Sequence, residues 1–284
     1  MSARRRPGDY PDLRIADISG GGSLFLWRNP AGRRFGEQDA WTLSADWTSP
    51  SDLPSAYAVL KDEESRLAAR NAFAWNADFG YLSPDPEHCG IALSAEGEFH
   101  LEALNLIGDL PPVLNALEAV RFRTASVLED GIRQAAHIFR VHTAATLGIS
   151  EEDLLARARR VFEDLIVQEL NARHALVEDT PRVLLDALSR ALAVLRSARL
   201  IAPGELLDLL SPIRLAASMG FLTGITRAEI LKLMRKQLNT PELPPSQTTE
   251  DDRRRDDRDA HLADFANARF ADVALSPLAE TYLG

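Results

Sequence analysis

Asp85, His88 and Cys89 fall within five residues of one another, and oxygen, nitrogen and sulfur donors are what a zinc ion takes. They crowd one turn, Ser83-Pro84-Asp85-Pro86, where an Asp before proline is a turn former, so no metal site is expected. Cys89 is the one cysteine of the chain, which excludes an internal disulfide framework and a cysteine-rich zinc site. His137 and His142, five apart on a stretch that reads as extended, would face opposite sides and form no pair. Trp41 and Trp47 would share one face of an extended stretch and read as core. A base-stacking platform is disfavoured by the net charge of −10. Glu250–Asp259 carries six acids and four arginines and reads as a solvated helical face with internal pairs. There is no Gly-rich phosphate loop, no His-x-x-x-His on a helix and no Ser elbow.

The elements that must position these residues differ between the two halves. The 284 residues, 45% hydrophobic and 26% charged, suffice for one large domain or one domain with a helical appendage. Apolar runs such as Ala191–Leu195 are too short to cross a bilayer. Arg4–Arg6 are followed by no apolar stretch, so a cytoplasmic location is expected. Residues 1–50 read as loop-rich around Gly20-Gly21-Gly22, with extended candidates at Ser23–Trp27 and Ala40–Trp47. Asp52–Ala74 has helical periodicity, with Pro54 just inside its start. Further strands are expected at Gly90–Ala95, Phe99–Leu104, Arg121–Leu128 and His137–Thr143, with a helix at Leu110–Ala119 opened by Pro111 and Pro112. Such short strands argue for an antiparallel sheet. From Ser150, a capping residue followed by acids, helices are expected to about Ala175, then over Pro181–Leu200, Pro203–Met219 and Arg227–Leu238. A last one runs from the charged stretch to about Val273.

The run Phe79-Gly80-Tyr81-Leu82-Ser83-Pro84-Asp85-Pro86-Glu87-His88-Cys89-Gly90 resembles the ATP:guanido phosphotransferase (phosphagen kinase) family. The family has there a Gly-Tyr-Leu run, Cys-Pro-Thr-Asn, a Gly and an Arg-Ala-Ser strand. Ile138-Phe139, Thr146–Glu152, Glu169–Arg173, Ser197–Arg199, Leu210-Ser211, Ile213–Leu215 and Gly220 resemble its bacterial protein-arginine kinase branch. The resemblance runs from about Gly36 to the charged tail and leaves no room for the family's N-terminal helical domain. It implies an α+β fold, an antiparallel β-sheet flanked by helices of the phosphagen/glutamine-synthetase-like type, followed by a helical C-terminal region. Residues 1–35 stay unassigned; 36–148 would form the catalytic-type part, 149–240 its helical continuation, and 241–284 a linker and charged terminal helix.

Carried over by that resemblance, Asp39 and Asp130 sit at the family's two catalytic acid positions and Asp85 at its reactive cysteine. Three family arginines that hold phosphate become Leu43, Ser94 and Ala125. The branch's phosphoarginine pocket corresponds to Arg255, Asp256, Asp259 and Ala260, with an acid where its second arginine belongs. Phosphoryl transfer rests on cationic stabilisation of phosphate oxygens. Each Arg–phosphate contact contributes about 1.5–3 kcal/mol, and millimolar binding needs only about −4 kcal/mol. The resemblance therefore implies a pseudokinase that binds or regulates, with no cofactor expected. Its partners would be a second copy, an active arginine kinase or that kinase's clients, and neither nucleic acid nor membrane. The alternative is an active Mg-ATP-dependent kinase with relocated arginines, from Arg121, Arg123, Arg133 and Arg140.

Overall fold

The computed structural model describes residues 19–29, 41–83, 88–126, 135–144, 147–238 and 248–283. The first half alternates strands and helices: β1 (Ser19–Arg28), β2 (Trp41–Trp47), α1 (Leu53–Ala68), β3 (Trp75–Asn76), β4 (Gly80–Tyr81), β5 (Leu93–His100), α2 (Glu102–Ile107), α3 (Leu110–Ala119), β6 (Phe122–Ser126) and β7 (Ile138–Thr143). The second half is helical: α4 (Glu151–Glu178), α5 (Pro181–Ser197), α6 (Pro203–Ser218), α7 (Arg227–Leu238), α8 (Thr249–Phe270) and α9 (Pro277–Leu283). Short strands β8 (Leu222–Thr223) and β9 (Ala274–Leu275) pair with each other and tie the tail to the helical part. The fold is α+β, an antiparallel sheet flanked by helices and followed by helices, as the sequence leads one to expect.

Five strands form the main sheet in the order β2-β1-β5-β7-β6, every pairing antiparallel. Leu24, Leu26, Ala95, Phe99, Val141 and Phe122 point to one side and are buried. There Phe162 of α4 meets the rings of Trp47, Phe99 and Phe122 at 5.4, 5.3 and 5.9 Å. Trp47 can lie flat across the strands because Gly22 and Gly97 carry no side chain. A Cβ on Gly97 would stand 2.9 Å from the indole, and one on Gly22 1.9 Å from the Glu96 carbonyl oxygen. The glycine run expected in a loop is thus inside β1, where Gly21 at φ 81° marks a register shift against β5.

Several boundaries differ from the sequence-based expectation, two of them substantially. Gly90–Ala95 and Phe99–Leu104 are one strand, β5, followed at once by α2, and α1 stops at Ala68 rather than Ala74. The rest follows the local signals. The Ser150 side chain accepts the Asp153 amide at 3.0 Å and starts α4. Leu184, Leu188, Ala191 and Leu195 form the buried stripe of α5. Thr248 and Asp251 make a reciprocal capping box ahead of α8. The terminal helix is no appendage, since Ala263, Ala266 and Phe270 are fully buried. No helix among the described residues is long and apolar enough to cross a membrane.

Candidate functional site

Among the described residues, the second side of the sheet carries mostly part-exposed side chains. The register puts Phe25 opposite Ser94, Glu96 opposite His142, Glu98 opposite Arg140, and Ala125 and Arg123 opposite Arg140 and His142. All these residues therefore share that side. Among the described residues it is covered at its far end, where Ser211 of α6 reaches His100, and at Trp27, on which His88 stacks. Ser94 and Ala125, two of the three positions carried over for phosphate-holding arginines, lie on it. Leu43 does not: it pairs with Leu26 and packs on the buried side. Asp39, Asp85, Asp130 and Arg133 lie outside the described residues.

The described polar groups on this side are engaged with one another. Arg140 lies between two carboxylates, 3.0 Å from Glu96 and 3.5 Å from Glu98. Ser94 is committed to Thr143, whose hydroxyl is 3.1 Å away and also takes the Ala95 amide at 3.1 Å. Arg121 sits ahead of β6 at φ 62°, so it does not share a strand face with Arg123 as expected for an extended run. Trp27 stacks on His88 with centroids 3.9 Å apart and on Phe25 at 5.9 Å. Cys89 turns its sulfur to Ser83, taking the Ser83 amide at 3.4 Å. His88 and Cys89 therefore serve the packing of this corner. Among the described residues on this side, Ser94 and Ala125 are uncharged and Arg140 is paired with the part-exposed Glu96 and Glu98.

The sequence reading missed the charged cluster behind that corner. Arg28 has no exposed surface. Its guanidinium pairs with Glu64, donates to the carbonyls of Trp27 (2.8 Å) and Ile91 (3.2 Å), and lies 3.5 Å over the Tyr81 ring. Lys61 bridges Glu64 and Glu151, and Tyr57 donates to Glu151. Burial alone would raise the Glu64 carboxyl, but Lys61 and Arg28 outweigh it and hold it below the usual range. Tyr81 and Glu151 fall inside the segments that carry the resemblance, which was the one available signal.

A second buried network joins the sheet to α6. The single Ser211 hydroxyl proton has two acceptors within reach, Glu102 and the Ala136 carbonyl oxygen, and the hydroxyl oxygen accepts from His100 Nε2 at 2.9 Å. His137 Nδ1 is 2.6 Å from the same carboxylate. Ala136 and His137 are both left-handed, at φ 63° and 47°, conformations that cost non-glycine residues free energy. Asp208 takes the Ala136 amide at 2.9 Å and Ser211 reaches its carbonyl, so α6 grips the turn from two sides. Burial, with Arg214 and Arg173 nearby, holds the His100 imidazole well below its usual pKa. For His137 burial acts downward too, but Glu102 prevails and raises it. A raised folded-state value means stability present below the unfolded pKa of 6.5 and lost as pH climbs through the folded value. The unfolding free energy of wild type over His137→Asn, from urea titrations, is expected to shrink as pH rises from below 6.5 through the raised folded-state value. A gap that widens with pH would show that His137 is neutral in the fold.

Behind α2, Glu169 of α4 is fully buried and accepts the amides of Ala103 and Leu104, each at 3.0 Å, and Arg173 Nε at 3.2 Å. Burial pushes its carboxyl up to about 7 against the pull of those donors. In the tail, Arg258 donates from both Nε and a terminal nitrogen to Asp259 at 2.9 Å. The Asp259 carbonyl takes the Ile201 amide at 3.0 Å. The acid at the branch's second arginine position is thus occupied by the neighbouring arginine.

Comparison with known proteins agrees with this architecture. Residues 46–172 match the ATP:guanido phosphotransferase C-terminal catalytic domain, and residues 181–277 the Protein-arginine kinase McsB C-terminal domain. The protein-arginine kinase of Clostridium acetobutylicum is 26% identical over 198 residues, 70% of this chain and 58% of that protein. That of Moorella thermoacetica is 35% identical over 182 residues, 64% of this chain and 52% of that protein. The duplicated taurocyamine kinase of Schistosoma mansoni superposes with TM-score 0.48 at 11% identity, over 67% of this chain and 40% of that one. The chain spans roughly half to three fifths of the length of the curated relatives it matches. Two successive family segments in their proper order cover most of its residues: the chain belongs to the ATP:guanido phosphotransferase family, in its bacterial protein-arginine kinase branch.

Proposed function

We propose that this chain is a pseudokinase of that family, a binding or regulatory module without phosphoryl transfer of its own. One observation carries the reading: on the second side of the sheet, Ser94 and Ala125 are uncharged and Arg140 is held between Glu96 and Glu98. A triphosphate brings about four negative charges and depends on charge-assisted contacts of about 1.5–3 kcal/mol each. Arg140 would have to exchange its carboxylates for phosphate, and Glu96 and Glu98 would then face the anion. The partners in this reading are a second copy, an active protein-arginine kinase or the proteins that such a kinase modifies, in the cytoplasm.

Millimolar Mg-ATP is expected to leave the melting temperature unchanged, and γ-labelled ATP to transfer no label to an arginine-containing protein. A shift of several degrees, or label transfer, would overturn the reading. The competing reading, an active kinase with relocated cations, draws on Arg123, which shares the second side with Ala125. If transfer were seen, Arg123→Ala should abolish it.

A further inference from the structure

The bend that leads into β7 is held from two directions. From α6, Asp208 takes the Ala136 amide at 2.9 Å and the Ser211 hydroxyl stands 2.9 Å from the Ala136 carbonyl oxygen. From the junction of β5 with α2, Leu101 donates its amide to the His137 carbonyl at 2.9 Å, and Glu102 Oε2 lies 2.6 Å from His137 Nδ1. The Ser211 hydroxyl also reaches that same carboxylate oxygen. Helix α6 and the sheet junction thus meet at one atom of Glu102, beside the one titrating ring of the bend.

The bend depends on these contacts. Ala136 has φ 63° and ψ 7°, and a methyl side chain offers no hydrogen bond to offset the left-handed conformation. Such a residue keeps its conformation only while its surroundings over-determine it. The charged groups facing His137 come from several elements. Burial works against its cation, but Glu102 of α2, with Asp208 of α6 and Glu169 of α4 behind it, outweighs burial and raises its pKa. His100 of β5 is held neutral by its own burial and by Arg214 and Arg173, so it adds no competing charge. The His137 side chain is 24% exposed, so it exchanges protons with water while the bend stays closed. In an opened bend the ring is solvated and its pKa returns toward 6.5. The closed form is therefore favoured below that value and loses the advantage as pH rises through the raised one.

We propose that the Ala136–His137 bend is a proton-operated latch between α6 and the sheet, closed while His137 carries its charge against Glu102 and opening more readily once that charge is lost. Native-state amide exchange of the full chain tests it, because the Ala136 amide reports the α6 side of the latch and the Leu101 amide the sheet side. Leu188, in the middle of α5, is the reference. After correction for the intrinsic exchange rate, protection at Ala136 and Leu101 should fall by at least about threefold as pH rises through the His137 titration. The fall should share its midpoint with the ring titration followed by NMR. Both amides should be less protected than Leu188 and indifferent to low urea concentrations, the mark of a local opening that exposes little surface. His137→Asn keeps a residue that tolerates positive φ. It should hold both amides near the alkaline wild-type level at every pH. Glu102→Gln should move the step to lower pH. The latch is overturned if protection does not change with pH, or if the step survives in His137→Asn. It is also overturned if both amides exchange with the protection and urea dependence of Leu188, since the bend would then open only with the whole fold. None of these outcomes depends on whether the sheet binds nucleotide.

Discussion

Arg28→Met is expected to lower the unfolding free energy by about 3–5 kcal/mol, the range for removing one partner of a buried charge pair. In a chain of this size that is a melting temperature lower by on the order of 10 °C. Methionine replaces the volume of the side chain but none of its charge. Glu64 would be left with Lys61 and the Tyr81 hydroxyl, Glu151 would lose a cation 3.7 Å away, and the carbonyls of Trp27 and Ile91 would lose the Arg28 donor. Arg28→Lys should fall in between, because an ammonium cannot serve two carbonyls, a carboxylate and the Tyr81 ring from one position. The informative control is Arg28→Met with Glu64→Leu, which removes both charges and is expected to recover part of the loss. Urea unfolding of the three variants checks this. A loss under about 1 kcal/mol for Arg28→Met would place the guanidinium in contact with water.

Glu169→Ala should be comparably damaging, by about 3–5 kcal/mol, for a different combination of reasons. Helix α2 has only six residues, too few to stand by itself, and Glu169 caps its start from α4. Without the carboxylate the amides of Ala103 and Leu104 lose their acceptor, and the buried Arg173 guanidinium loses its counter-charge, keeping the Ser218 hydroxyl at 3.3 Å. Glu169→Gln retains an acceptor and should cost less. The distinguishing readout is amide exchange. Protection at Ala103 and Leu104 should fall sharply in Glu169→Ala and persist in Glu169→Gln, whereas equal protection in both would mean that α2 is held by packing alone.

Elements governed by local rules were legible. Helix α3 starts where Pro111 and Pro112 place it, and α7 keeps the bounds its apolar period suggests. The errors arise where distant residues decide. Phe99–Leu104 contains no breaker, and nothing nearby announces a helix at Glu102. The cap that starts α2 arrives from Glu169, 66 residues away at Ala103. The glycines at 20–22 read as a loop because the reason for them, the indole of Trp47 and the backbone of β5, lies on other strands. At the candidate site, the sequence shows that Ser94 and Ala125 are not arginines. It cannot show that Leu43 faces the other way, or that Arg140 is matched with Glu96 and Glu98, since both follow from strand register. The Arg28 cluster draws on β1, α1, β4 and α4, and no spacing along the chain encodes it.

The left-handed pair Ala136–His137 has a consequence for how the polypeptide can be dissected. The grip on that pair comes from Asp208 and Ser211, beyond the junction between residues 172 and 181 where one family segment ends and the next begins. An excised fragment stopping at that junction would keep every strand of the main sheet and the Glu102 contact to His137, yet lose both α6 contacts to Ala136 in the bend that feeds β7, its next-to-edge strand. The two segments are therefore separate as units of ancestry and inseparable as units of folding.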